Sequence, residues 1–376
     1  MTNIRDNLQD QIDAARMQVH TDSYPMSIGE LVNLYEDGEL EIHPEFQRVY
    51  RWTDEQKSKL IESILLGIPL PSIFIAQRKD GVWDVVDGLQ RISTILSFMG
   101  KLKDKNNDLL PPLQLKSTKY LPALKGKYWD NPQEENEEID VEIKRVFKRE
   151  KLDIKIIKRE SESDTKFELF QRLNTGGSQL SDQEVRNCML LMLNPDAFKW
   201  LKELASYPAF LQSVPISEKQ QEECYSQELA FRFFVQRHTN DSLRKEHTDV
   251  APYLNAELTR LFKDTQSFDY DSEKLLFQKT FDLAYSALED NAFKKFNHDK
   301  QKYEGAISLP VFESLSFAIS KLLELNTYSE AQIIGIIKDK TKELTVNQEF
   351  IETLDKRVRP LDRMIAMAKI GLETFQ

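Results

Sequence analysis

The run Trp83-Asp84-Val85-Val86-Asp87-Gly88-Leu89-Gln90-Arg91-Ile92 carries residue types that suit anion chemistry. A β-like stretch stops at Asp87, a glycine follows, and Ile92, Ile95, Leu96 and Met99 then recur at helical spacing. A helix starting there presents unpaired N–H groups and a partial positive charge, which attract phosphate. Gly88 lets backbone approach an anion closely, and Arg91 can grip phosphate with two parallel N–H groups. Gln90 can bond to phosphate or sugar without charge. Asp87 repels phosphate directly; it fits if a divalent cation such as Mg2+ lies between them, or if it orients Arg91 or a water. Asp87, Gln90 and Arg91 are therefore the candidate catalytic residues, and Asp87 the candidate metal ligand. The same residues also suit an ordinary turn with a capping Asp and a salt-bridged Arg, and the segment alone does not separate the two readings.

Two further blocks add to this one. His43-Pro44-Glu45-Phe46-Gln47-Arg48-Val49-Tyr50-Arg51-Trp52 sets two arginines, a glutamine and three aromatics ahead of a capped helix. It reads either as anion-binding Gln47 and Arg48 or as an aromatic–arginine packing cluster. Phe170-Gln171-Arg172-Leu173-Asn174-Thr175-Gly176-Gly177 places Arg172 and Asn174 on a glycine turn before another helix. That is an anion or ribose site, or simply one helix ending and the next being capped. Gln47, Arg48, Gly88, Arg91, Arg172 and Asn174 make up the candidate nucleotide-binding set.

The elements that must position these residues can be read from periodicity. Residues 1–24 are a polar lead-in. Ser27-Ile28-Gly29-Glu30 and Thr53-Asp54-Glu55-Gln56 fit capping boxes, so helices follow each. Leu40 to His43 reads as a short extended piece, and Ile73–Ala76 and Val82–Val86 as two strands joined by the turn Lys79-Asp80-Gly81. From about 101 to 151 the pattern weakens, with Pro111, Pro112 and Pro122 and an acidic cluster from Glu134 to Glu142, which suggests an insertion or mobile lobe. Leu152–Ile157 alternates like a strand, a short helix is expected through Phe167 and Phe170, and Ser181-Asp182-Gln183-Glu184 opens a helix to about Leu193. Helical patterns then dominate. The expected organisation is α+β, with a mixed α/β domain over 25–194 and an all-α domain over 195–376.

Composition bounds the function. The chain has 376 residues, 12 glycines, a net charge of −11 and a pI near 5.2, so nucleic-acid binding by the whole surface is disfavoured, whereas a small anion in one pocket or a local basic cleft for DNA is compatible. Two cysteines, Cys188 and Cys224, exclude a disulfide framework, and Cys188 reads as a buried small hydrophobe. No signal peptide and no apolar run long enough for a membrane span are evident, so a cytoplasmic protein is expected.

The three blocks in this order resemble the N-terminal domain of GmrSD-type restriction proteins, the "domain of unknown function 262" group of the ParB/sulfiredoxin-like superfamily. The matching residues are Pro44, Phe46, Gln47, Arg48 and Trp52; Asp87, Gly88, Gln90, Arg91 and Thr94; and Phe170, Asn174, Gly176, Gly177, Leu180, Ser181 and Glu184. The resemblance spans about residues 25–195. It implies a ParB-like fold for that domain and a nucleotide site at Asp87, Gly88, Gln90 and Arg91, with Gln47, Arg48, Arg172 and Asn174 as neighbours. It also implies binding and Mg2+-dependent hydrolysis of GTP, ATP or CTP in a bacterial or phage-related defence or DNA-processing system. Leu89 stands where the family pattern has glutamine, which weakens the case for hydrolysis more than for binding. None of the five histidines (His20, His43, His238, His247, His298) lies in an HNH context, so a self-contained nuclease of that type is not expected. A partner nuclease or methyltransferase is expected instead, with homo-oligomerisation open. A non-catalytic scaffold with a vestigial pocket is the alternative, and a ParB-like DNA nickase ranks below both.

Overall fold

The computed structural model describes residues 21–42, 52–78, 80–104, 106–130, 137–158, 181–263, 268–354 and 357–375. The chain divides into two compact units, Met1–Gln179 and Leu180–Gln376. Gln47, Arg48, Arg172 and Asn174, and the helix expected near Phe167, lie outside the described residues.

The first unit is built on a five-stranded mixed sheet. Its strands are β1 (Thr21–Ser27), β2 (Leu40–Glu41), β3 (Ile73–Gln77), β4 (Trp83–Asp87) and β5 (Lys151–Ile157), in the order β1-β5-β3-β4-β2. β3 and β4 form an antiparallel hairpin, β3 runs parallel to β5, β1 is antiparallel to β5, and β2 is parallel to β4. Alternation along β5 buries Leu152, Ile154 and Ile156 on one face and turns Asp153 and Lys155 to the other.

Among the described residues, four helices serve this sheet: α1 (Ile28–Glu36), α2 (Asp54–Leu65), α3 (Leu89–Phe98) and α4 (Val141–Arg149). Their starts follow from local chemistry. Thr53 and Gln56 form a complete capping box at α2, whereas Ser27 supplies only the side-chain half at α1, its hydroxyl accepting from Glu30 N. The apolar stripe of α2 (Leu60, Ile61, Ile64) meets that of α3 (Ile92, Ile95, Leu96) over the strands. Each such aliphatic side chain stabilises the fold by roughly 1.5–3 kcal/mol on burial.

Residues 101–130, where periodicity fades, are anchored in the same core by Leu102, Leu113, Leu115, Leu124 and Trp129. Trp129 packs against Phe98 and Phe147 with ring centroids 5.4 and 5.5 Å away. The order in this segment comes from irregularly spaced apolar residues, not from a repeating pattern.

The second unit is largely helical: α5 (Asp182–Leu193), α6 (Pro195–Ala205), α7 (Pro208–Ser213), α8 (Glu218–Glu222), α9 (Tyr225–Arg237), α10 (Asp241–Glu246), α11 (Val250–Phe262), α12 (Tyr270–Leu288), α13 (Leu309–Leu325), α14 (Glu330–Leu344), α15 (Gln348–Thr353) and α16 (Pro360–Phe375). A small hairpin, β6 (Lys295–Asn297) with β7 (Lys302–Glu304), interrupts it. Phe210, Phe233, Phe234, Phe277 and Phe281 form a continuous aromatic core. α13 and α16 touch closely at Gly371, where an added Cβ would lie 2.2 Å from the Ser314 carbonyl oxygen.

Candidate functional site

Strand β4 ends at Asp87, and Gly88 turns the chain into α3 with φ 97° and ψ 11°. This left-handed conformation is open to glycine and strained for other residues. Space enforces the same choice: a Cβ here would sit 2.9 Å from Ile73 Cγ1, in the buried start of β3. Because the N-cap is a glycine, no side chain caps α3. Its first-turn N–H groups are thus not masked by a capping hydroxyl or carboxylate, which is the arrangement that receives anions at helix starts.

Arg91 is turned inward. Its Nη1 donates to the Pro71 carbonyl, and its Nη2 donates to Ser72 O at 3.2 Å and to Asp87 Oδ2 at 3.2 Å. Burial lowers the Arg91 pKa and the Asp87 carboxylate offsets part of that, so the guanidinium stays charged. The side chain fastens the Pro71–Ser72 approach of β3 to the end of β4. In this arrangement Arg91 fixes the shape of the turn, and an anion in front of α3 would meet backbone first. Leu89 is half-buried and packs against the core, so its side chain faces away from solvent chemistry. Thr94 Oγ1 donates to Gln90 O at 2.7 Å, tightening the first turn.

Sequence reasoning missed a polar network that continues from Arg91. Ser72 Oγ donates to Asp153 Oδ2 at 2.5 Å, Ser23 Oγ donates to Asp153 Oδ1 at 3.3 Å, and Lys155 Nζ donates to Ser23 Oγ at 2.7 Å. Lys155 also pairs with Asp153 at 3.3 Å. The Ser72 hydroxyl, and then Lys155, hold the Asp153 carboxyl below its ordinary range. The signal was present in the alternation of β5, which places Asp153 and Lys155 opposite the core, but the partners on β1 and before β3 are fixed only by strand register.

Among the described residues, no group of three or more His, Cys, Asp or Glu side chains is placed to hold a metal. Asp87, two-fifths exposed, is a single carboxylate at the turn. That fits an Mg2+ held chiefly by phosphates and water, and does not fit an all-protein cage. Burial pushes the Cys188 thiol well above its ordinary value, which makes it a poor nucleophile.

The third block reaches the second unit. Ser181 and Glu184 cap α5 reciprocally, with Glu184 Oε2 2.7 Å from Ser181 N. One turn on, Arg186 is 1% exposed; its Nε donates to Gln183 Oε1 at 2.8 Å and its Nη2 to Glu228 Oε2 at 2.8 Å. Arg232 continues the chain to Glu228 and, at 2.9 Å, to Glu313. Burial pushes the Glu313 carboxyl up to about 7 against the pull of Arg232.

A mixed sheet that hands over, through a glycine in the left-handed region, to an uncapped helix, followed by a helical unit, defines an α+β protein. Residues 28–191 match the family model of the GmrSD restriction endonuclease, N-terminal domain. That span, somewhat under half of the chain, is similar to the N-terminal domain of these restriction endonucleases. No curated protein and no solved structure matches it. The matched span ends inside α5 and so crosses the division between the units. Among the described residues, no helix is long and apolar enough to cross a membrane.

Proposed function

We propose that the first unit binds a nucleoside triphosphate, with its phosphates at the start of α3 and Asp87 as the residue that would help hold an Mg2+. The observation that carries this reading is the uncapped helix start at Gly88, a position where backbone angle and Ile73 together disfavour any side chain. The match of residues 28–191 to the GmrSD restriction endonuclease N-terminal domain supports it. Asp87, Gly88 and Gln90 would contact phosphate, metal or sugar directly, and Arg91 would act through the turn it holds. Gln47, Arg48, Arg172 and Asn174 would complete the pocket. Bound Mg2+ would supply charge neutralisation of the phosphates. The nucleotide state would then govern a partner effector, a nuclease or methyltransferase.

Titrating the full chain with labelled GTP, ATP and CTP, with and without Mg2+, tests the proposal. Sub-millimolar binding of one of them, weakened by Asp87→Asn chiefly when Mg2+ is present, is the expected result. Absence of binding by all three sinks it. A scaffold role without hydrolysis is favoured by two features, the inward Arg91 and the core-facing Leu89. Binding without phosphate release, even with DNA and partner added, would select that second reading.

A further inference from the structure

The chain has 62 acidic residues in 376, yet none falls between Asp108 and Asp130, where Lys116, Lys119, Lys125 and Lys127 stand with Tyr120, Tyr128 and Trp129. This is a basic, aromatic island in an acidic protein, and the structure fixes its exposed tip with some care. Ser58 of α2, fully buried, accepts from Lys116 N at 2.8 Å. One turn later on the same helix, Glu62 Oε1 accepts from Tyr120 N at 2.8 Å and from Leu121 N at 2.9 Å. Glu62 is 6% exposed, and burying a carboxylate is unfavourable unless bonds of this kind offset it. Thr118 Oγ1 closes the tip onto Leu121 O at 3.1 Å, and Leu115 and Lys127 are joined by a backbone bond of 2.9 Å at its base.

What this bracing presents is a ring that adds nothing to the core. Tyr120 is 63% exposed, with Lys119 Nζ 5.1 Å from its centroid. Lys119 and Lys125 are exposed and make no ion pair among the described residues. A rigid aromatic ring flanked by unpaired lysines is the chemistry that holds a strand with unpaired bases: phosphates on the ammonium groups, a base on the ring. An acidic peptide would use the lysines but give Tyr120 no partner of its own.

We propose that the loop 116–127 is a docking surface for single-stranded nucleic acid, with Tyr120 as the stacking platform and Lys116, Lys119 and Lys125 as phosphate contacts. This surface is separate from the α3 turn and does not depend on the nucleotide reading. Anisotropy of a short labelled single strand added to the full chain tests it. Three phosphate contacts give a log–log salt slope of about −2, so affinity should fall roughly 20-fold between about 50 and 200 mM salt. Tyr120→Ala should weaken binding at least about fivefold, and Lys119→Glu with Lys125→Glu at least about tenfold. All three positions are exposed, so the variants should keep the wild-type melting temperature and any nucleotide affinity. The proposal is overturned if the strand does not bind at low salt, if the variants bind like wild type, if a duplex is preferred, or if polyglutamate competes as well as nucleic acid.

Discussion

Replacing Gly88 with alanine should destabilise the first unit by about 2–5 kcal/mol. Two terms build that figure. Holding an L-residue at φ 97° costs roughly 1–2 kcal/mol. The new methyl group would also lie 2.9 Å from Ile73 Cγ1, and Ile73 is 1% exposed, so it has nowhere to go; overpacking of this sort costs about 1–3 kcal/mol. Gly88→Asn separates the terms, because asparagine tolerates the left-handed region but keeps the Cβ, and it should recover about 1 kcal/mol relative to alanine. Urea unfolding read by tryptophan fluorescence suits the measurement: Trp52, Trp83 and Trp129 lie in the first unit and only Trp200 in the second, so a Trp200→Phe background isolates the signal. The same methyl would approach Arg91 Nη2 at 3.3 Å and disturb its bonds to Ser72 and Asp87, so nucleotide affinity should fall more than tenfold where the variant is still folded. A loss below about 1 kcal/mol, or asparagine no better than alanine, would refute the account of the turn.

Other parts of the molecule give further expectations. Gly371→Ala forces α13 and α16 apart at Ser314 and should lower stability of the second unit by about 1–3 kcal/mol or more, visible as an earlier unfolding of Trp200 while the first unit is unchanged. Glu313, with its carboxyl at about 7 in the folded state and an ordinary value of 4.5, keeps its proton longer when folded; its contribution therefore falls as pH rises from about 4.5 to 7, and Glu313→Gln should flatten the pH–stability curve in that window. Glu273 has the opposite sign: burial pushes its carboxyl up, but Arg237 and His238 outweigh this and hold it at about 2, so its contribution is present above 4.5 and is lost as pH falls toward 2. Glu273→Gln should thus remove part of the acid-induced loss of stability, and an unchanged acid limb would count against the ion-pair assignment. Ser181→Ala should cost about 1 kcal/mol in the second unit by urea unfolding, since it removes the hydroxyl that caps α5.

The parts of the fold legible in the sequence were those coded locally. Thr53 and Ser181 announce α2 and α5 because a cap is a contact between residues three apart. The β3–β4 hairpin and the turn at Gly88 were readable for the same reason. β1 escaped notice because Thr21, Asp22, Ser23 and Pro25 make a polar edge strand, tolerable since among the described residues it pairs with β5 alone. α4 does set Ile143, Val146 and Phe147 at helical spacing, but it buries only Phe147, and a stripe of one short turn beside the acidic cluster was easily passed over. At the candidate site, the identity of Arg91 was legible and its direction was not. Its acceptors, Pro71 and Ser72, lie about a whole strand hairpin upstream and reach it only through the tertiary fold.

The helix α5 bears on where such a chain can be cut. Most of it lies within the span matched by the family model, yet its buried Arg186 and Asn187 bond to Glu228 and Gln227 of α9, with Gln183 joining the two on α5 itself. A fragment trimmed at the family boundary would carry Arg186 without Glu228, an unpaired charge on an exposed helix. The complementary fragment would keep Glu228 and Arg232 beneath an opened roof of side chains. A severed chain should therefore be soluble only when the cut falls before Ser181, and natural recombination of this domain with other helical partners would have to carry α5 along with the partner, as a borrowed piece of the module that follows it.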